Sequence, residues 1–242
     1  MRKLRHLDLF SGIGGFSLAA RWTGQIETIA FVEIDPFCQK VLKKHWPDVP
    51  VYDDIKVFAG EGIGSVDIIT GGFPCQDISL AGKGCGLEGD RSGLWGEYAR
   101  LIRSLRPKYA IVENSAGLLA RGMGTVLRDL AQAGYDAEWE VLSAEEIGAP
   151  HTRERLYIVA YSNEVNGPKG MGMLQDGQGA IFPLKNRQCV PIWLQAADSF
   201  IGMDDGLPAK LYRPRGEALG NSIVPQVVLP ILQAIIEIEG GN

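Results

Sequence analysis

Apolar positions along the first 161 residues follow two periods, and their alternation predicts the elements. Short apolar runs at 4–10 (LRHLDLF), 28–34 (TIAFVEI), 49–52, 66–70 (VDIIT), 108–113 (KYAIVE), 137–143 and 155–161 (RLYIVAY) read as strands. Helix-period stretches lie between them near 16–22, 36–45, 92–105 and 119–133, the last ended by Gly134. Asp35 followed by Pro36 marks the second helix start, because aspartate caps free N–H groups and proline tolerates the first helical position. This order predicts a doubly wound α/β sheet, and runs such as YAIV suit strands buried on both faces. The regularity stops after Tyr161. Residues 162–190 include five glycines in GPKGMGMLQDGQG, the composition of a linker or of a binding segment. Order is expected again at 191–205 and in a helix at 224–238, with Pro225 at its start and an interior Pro230 that should kink it.

Composition narrows the class. The chain has 242 residues, 45% of them hydrophobic and 22% charged, which suits one large domain and excludes global disorder. No apolar run approaches the roughly 18 residues of a membrane span, and the start MRKLRHLDLF has no signal-like apolar region, so a cytoplasmic protein is expected. Cys38, Cys75, Cys85 and Cys189 form no C-x-x-C pair, and His6, His45 and His151 are scattered; neither a metal site nor a disulfide framework is expected. Net charge is −5, yet residues 83–128 hold eight lysines and arginines against four acids. That window reads equally well as a nucleic-acid-facing patch or as solvated helix faces.

Four places have candidate chemistry. The loop FSGIGGF puts Gly12, Gly14 and Gly15 at the end of the first strand, where open α/β sheets bind ligands. Ser17 breaks the G-x-G-x-x-G spacing, which disfavours a dinucleotide. Glu33, at the end of the second strand, could accept hydrogen bonds from both hydroxyls of a ribose, so a nucleoside cofactor is favoured over a purely structural turn. Cys75 follows a strand end behind Pro74 in GGFPCQDIS: it is either a nucleophile or a small core residue. Glu113, at another strand end, is an acid facing a substrate ring or a surface carboxylate. Arg153 and Arg155 alternate before the last strand, a spacing that points both to one face, with pairing to Glu154 as the alternative.

The blocks DLFSGIGGF, FVEIDPFCQ, DDI at 53–55, GGFPCQDIS with GLEGDRSGLW, VENSAGLL, GAPHTRERLYIVA and ALGNSIVPQ occur in this order. With them the chain resembles the DNA (cytosine-5) methyltransferases, in the short form of phages and bacterial modification systems. The resemblance implies a mostly parallel, doubly wound sheet of the S-adenosylmethionine-dependent methyltransferase type, with its last strand antiparallel and a small irregular target-recognition segment. Its division is a catalytic domain at 1–161, a recognition segment at 162–212 and a C-terminal segment at 213–242 that returns to the catalytic domain. S-adenosyl-L-methionine would be held by Phe10, Gly12, Ile13, Gly15, Glu33, Ile34, Asp54, Ile55, Gly72, Pro74, Leu94, Asn221 and Ser222. Cys75 would attack carbon 6 of a flipped-out cytosine, Glu113 would bind the ring nitrogen and amine, Arg153 would hold the base and Arg155 would support the site. Gln76, Ser79, Gly82, Arg91 and Ser92 would close on double-stranded DNA. A monomer, with a cognate restriction endonuclease as partner, is expected.

Two departures stand out. ENS replaces the usual ENV, with the glutamate kept. The interval from Ser162 to RPRGEALGN is short for a target-recognition region, and residues 162–227 balance six basic against six acidic side chains. A weakly active or inactive DNA-binding relative is therefore one alternative. An RNA cytosine methyltransferase is another, though the C-F-T signature of those relatives is missing.

Overall fold

A computed structural model describes residues 2–74, 93–145, 153–163 and 221–240. Seven strands form one sheet: β1 (Leu4–Leu9), β2 (Ile26–Val32), β3 (Val51–Tyr52), β4 (Ile68–Gly72), β5 (Tyr109–Asn114), β6 (Tyr135–Leu142) and β7 (Arg155–Ser162). Their spatial order is β3-β2-β1-β4-β5-β7-β6. β1 to β5 pair in parallel, and β7 runs antiparallel to both β5 and β6. This is the expected sheet with its one reversed strand. The chain proceeds outward from β1 through β2 to β3, then returns beside β1 with β4. Strand order therefore reverses between β1 and β4, and at such a switch point the loops at the strands' carboxyl ends diverge to leave a crevice.

Helices α1 (Gly15–Thr23), α2 (Pro36–His45), α3 (Gly93–Leu105), α4 (Leu118–Arg121), α5 (Met123–Gln132) and α6 (Pro225–Gly240) cover the sheet. One core cluster joins Leu7, Leu9, Ile69, Val112 and Ile158 to Trp95, Tyr98 and Ile102 of α3 and to Val126 and Leu130 of α5. The other joins Leu4, Ile68, Ile111 and Val159 to Phe16 and Ala20 of α1 and to Val228 and Ile231 of α6. Burying both faces removes apolar surface from water twice per strand, which explains the unbroken hydrophobic runs. No helix among the described residues is long and apolar enough to cross a membrane.

Local signals are realised where they were strongest. Asp35 Oδ1 accepts the N–H groups of Phe37 at 2.8 Å and Cys38 at 2.9 Å, with Pro36 opening α2. Two expectations need correction. The single helix at 119–133 is two, because Gly122 leaves the helical conformation (φ −151°, ψ −11°) and lets α5 turn to bury Met123, Val126 and Leu130. β2 spans 26–32 rather than 28–34, since Glu33 turns its carboxylate back onto neighbouring N–H groups instead of continuing the strand. Pro230 lies inside α6, the helix expected at 224–238. The element expected at 191–205 lies outside the described residues.

Candidate active site

The glycine loop leaves β1 through three left-handed residues, Phe10 at φ 50°, Gly12 at φ 53° and Gly14 at φ 88°. Phe10 pays for this conformation as a non-glycine residue, and its ring stacks on Tyr98 with centroids 6.4 Å apart. Gly12 donates its N–H to Glu33 Oε2 at 2.7 Å, and Asp35 donates its N–H to Glu33 Oε1 at 2.8 Å. Glu33 is buried, and burial pushes its carboxyl above the usual range while the N–H groups of Asp35 and Gly12 pull it back. Each carboxylate oxygen keeps a further lone pair for a ligand hydroxyl. Beside it Ile34 is 73% exposed, a large apolar side chain left open to water at a polar site. Among the described residues, nothing beyond its chain neighbours stands within 4 Å of where a Cβ on Gly12 would lie. An acceptor pair, an apolar platform and open backbone suit a nucleoside.

Ile55 is buried in the core, so only its backbone is available to a ligand; Asp54, half-buried, accepts the N–H of Lys56 at 2.9 Å. Arg100 of α3 fastens this loop by donating to the carbonyls of Ile55 at 2.9 Å and Phe58 at 2.8 Å. Ile13 is half-buried, Pro74 is exposed, and Leu94 packs against the core.

The C-terminal segment closes on the loop. A Cβ on Gly15 would lie 2.6 Å from the Ile223 carbonyl oxygen and 2.8 Å from Ile223 Cβ. Asn221 is exposed and Ser222 half-buried just ahead of this contact. The Gly15→Ala variant is expected to lose about 1–3 kcal/mol of stability in urea denaturation, because the obstacle is backbone. Gly96→Ala, in the middle of α3 with open space around it, is expected to gain about 0.5–1 kcal/mol.

Glu113 is the last residue but one of β5, paired with Gly72 on one side and Tyr157 on the other. Its side chain is 13% exposed, and Arg155 Nε lies 3.0 Å from Glu113 Oε1. Burial raises the Glu113 carboxyl above the usual range, against the pull of Arg155 and then Arg153. A Cβ on Gly72 would run into Glu113 Oε2, so a side chain there would displace the carboxylate from this position. Arg153 stands before β7 at φ 30°, outside the strand's alternation; the period-2 argument for its direction therefore fails, although Glu113 still feels both arginines. Arg153 donates to the Ser222 carbonyl at 2.8 Å, which links the Glu113 side of the crevice to the C-terminal segment.

The buried Asn114 was missed by sequence reasoning. Its side-chain amide donates to the Phe73 carbonyl at 3.1 Å, and its Oδ1 accepts the N–H of Ser115 at 2.9 Å. It ties the end of β5 to the residue two places before Cys75. The one available signal was an amide beside Glu113 at a strand end. Cys75, Gln76, Ser79, Gly82, Arg91 and Ser92 lie outside the described residues. Of the described basic residues in the window 83–128, Arg100 serves the Asp54 loop, Arg106 donates to the Ala133 carbonyl, and Lys108 pairs with Glu239.

The profile of the C-5 cytosine-specific DNA methylase family matches residues 4–190, through the glycine loop, Glu33, Cys75, Glu113 and both arginines. This chain belongs to that family. The Lactococcus lactis subsp. cremoris type II methyltransferase M1.ScrFI is 36% identical over 166 residues, covering 67% of this chain and 42% of that protein. The Haemophilus parahaemolyticus type II methyltransferase M.HhaI is 34% identical over 167 residues, covering 67% of this chain and 50% of that protein. This member of the family thus spans half or less of the length of these curated relatives. In fold it is similar to Spodoptera frugiperda DNMT2, with a TM-score of 0.58 at 24% identity over 69% of this chain and 52% of that one.

Proposed function

We propose that this protein methylates carbon 5 of cytosine in double-stranded DNA, with S-adenosyl-L-methionine as the methyl donor. The observation that carries the reading is the buried Glu113 carboxyl, packed against Gly72 and paired with Arg155, with Asn114 next to it securing the approach to Cys75. Membership of the family supports it. S-adenosyl-L-methionine, when bound, supplies an electrophilic methyl group. Glu33 would hold the ribose hydroxyls and Ile34 would cover one face of the adenine. Asp54 and the Ile55 backbone would meet the adenine edge, and Asn221 with Ser222 would flank the methionine end.

Carbon 5 of cytosine is a poor nucleophile. Addition of the Cys75 thiolate to carbon 6 forms a C–S bond and makes carbon 5 electron-rich, splitting one hard step into easier ones. Glu113, whose carboxyl burial raises against the pull of Arg155 and Arg153, would donate in its protonated form to ring nitrogen 3 and offset the charge that develops there. Arg155 holds the Glu113 carboxyl in place, and Arg153 holds the base. After carbon 5 is methylated it loses its proton, carbon 6 expels the thiolate, and Cys75 is regenerated. The target base must leave the duplex to reach these groups. Gln76, Ser79, Gly82, Arg91 and Ser92 are proposed to contact the strand. One strand is served at a time, so a monomer suffices. The type II names of the relatives suggest a restriction endonuclease as genetic partner.

Incubation with tritiated S-adenosyl-L-methionine is expected to label duplex DNA and not RNA, and bisulfite sequencing is expected to find the label's position as 5-methylcytosine at one recurring site. Label in RNA, or DNA bound without any label, overturns the proposal.

A further inference from the structure

Beneath the glycine loop, five buried polar side chains close a ring. His6 Nδ1 lies 3.0 Å from Thr28 Oγ1, and His6 Nε2 lies 2.7 Å from Thr70 Oγ1. Thr28 Oγ1 lies 3.0 Å from Ser17 Oγ, Ser17 Oγ lies 2.6 Å from Asp8 Oδ2, and Thr70 Oγ1 lies 3.2 Å from Asp8 Oδ1. His6, Asp8, Ser17 and Thr70 are fully buried, and Thr28 is nearly so. The register makes the ring possible. His6 pairs with Thr28 across β1 and β2, Asp8 pairs with Thr70 across β1 and β4, and Ser17 descends from α1.

Proton counting restricts its state. Five links need five hydrogens, and three hydroxyls supply three. The remaining two come either from an imidazolium facing a carboxylate, or from a neutral imidazole and a carboxylic acid. Only the second arrangement runs every link in one direction and buries no charge. Two charges separated by a hydroxyl would each lose their water for a weakened attraction, while a one-way ring strengthens each bond through the next.

We infer that Asp8 is a protonated, positioning residue that shares one proton with a neutral His6 around this ring and so fixes the glycine loop of the cofactor site. The ring joins the four elements that meet there. Ser17 lies in the first turn of α1, directly after the loop, and Thr70 lies two residues before Gly72. Ser11 of the loop donates its hydroxyl to the Asp8 carbonyl at 2.6 Å, so side chain and backbone of Asp8 both hold the turn. Burial favours the neutral form of both ionisable members, lowering His6 to about 3 and raising Asp8 to about 7; the hydrogen bonds of Ser17 and Thr70 to Asp8 oppose its rise and Glu33 adds a little to it. Among the described residues, Tyr98 also interacts with Asp8.

The proton balance gives a pH signature. Asp8, raised from 3.8, contributes stability that is full below 3.8 and lost as pH rises to about 7. His6, depressed from 6.5, contributes stability that is full above 6.5 and lost as pH falls to about 3. Between about pH 4 and 6.5 the ring and the unfolded pair hold the same number of protons, so the two slopes cancel. The His6→Gln variant keeps one donor and one acceptor but removes one slope; its stability is expected to fall as pH rises across that window.

The test uses the full chain labelled with 15N-histidine and 13C-aspartate, assigned with His6→Gln and Asp8→Asn. At pH 6 His6 is expected to show one protonated and one bare ring nitrogen, and Asp8 the carboxyl carbon of an acid. Two protonated nitrogens with a carboxylate overturn the inference. Asparagine mimics a carboxylic acid's single donor and acceptor, so Asp8→Asn is expected to keep S-adenosylhomocysteine affinity within about threefold, whereas Asp8→Ala loses about tenfold or more. Equal losses in the two variants overturn it too. The cofactor role rests on the function proposed above. If the native chain binds no S-adenosylhomocysteine, that function and the positioning role both fail, while the spectra still decide the ring's protonation.

Discussion

Cys75→Ala is expected to abolish the proposed methyl transfer to DNA, with residual incorporation below about one part in 10⁴, as for loss of other enzymatic nucleophiles. The physical reason lies in the ring's electrons. Without a carbon–sulfur bond at carbon 6, carbon 5 keeps its aromatic character and no side chain at Glu113 or Arg155 can supply the missing electron pair. Binding is a separate matter, because phosphate contacts do not involve the thiol. The variant is therefore expected to shift duplex DNA in a gel at the native concentration. A duplex carrying 5-fluorocytosine at the target is expected to stay attached to the native protein through denaturation, since fluorine at carbon 5 cannot leave as a proton does. The same duplex is expected to release from Cys75→Ala. Appreciable transfer by the alanine variant would remove the covalent mechanism.

Glu113→Gln is expected to lower kcat about 10²–10⁴-fold, the range for removal of a general acid. Glutamine keeps an oxygen for Arg155 Nε, now 3.0 Å from Glu113 Oε1, and an N–H to aim at ring nitrogen 3. Geometry and KM should survive; the transferable proton does not. The native pH profile adds a second check. Burial raises the Glu113 carboxyl, Arg155 and Arg153 oppose the rise, and the protonated form is the one that donates. Native activity is expected to decline as pH climbs through this raised value, and the glutamine variant is expected to lack that limb. The stability contribution has the same sign, full at acid pH and lost as pH rises. A large change in KM with kcat preserved would instead make Glu113 a binding group.

Much of this was legible in the chain. The order of strands and helices follows from periodicity, and the reversed last strand from the family resemblance. The Asp35–Pro36 cap formed as expected, because capping needs only residues two and three places apart and no tertiary partner. Glu33 and the glycine loop were also readable, since a strand end followed by glycines is a local pattern.

What stayed hidden depends on strand order, which places residues far apart in sequence side by side. Nothing near Gly72 signals that its missing side chain makes room for the Glu113 carboxyl, or that Asn114 reaches the Phe73 carbonyl. Arg100 and Lys108 read as surface charge and serve as internal fasteners. Within the strand LRHLDLF, His6 and Asp8 alternate with Leu7 and Leu9, a pattern that a water-facing polar side would also give. Only the packing of α1 and α6 over that face made His6 and Asp8 buried partners. Periodicity and local hydrogen bonding set by sequence determined the elements and the loop chemistry. The sheet's connectivity decided which distant groups share a dry environment, because burial and pairing are properties of neighbours in space.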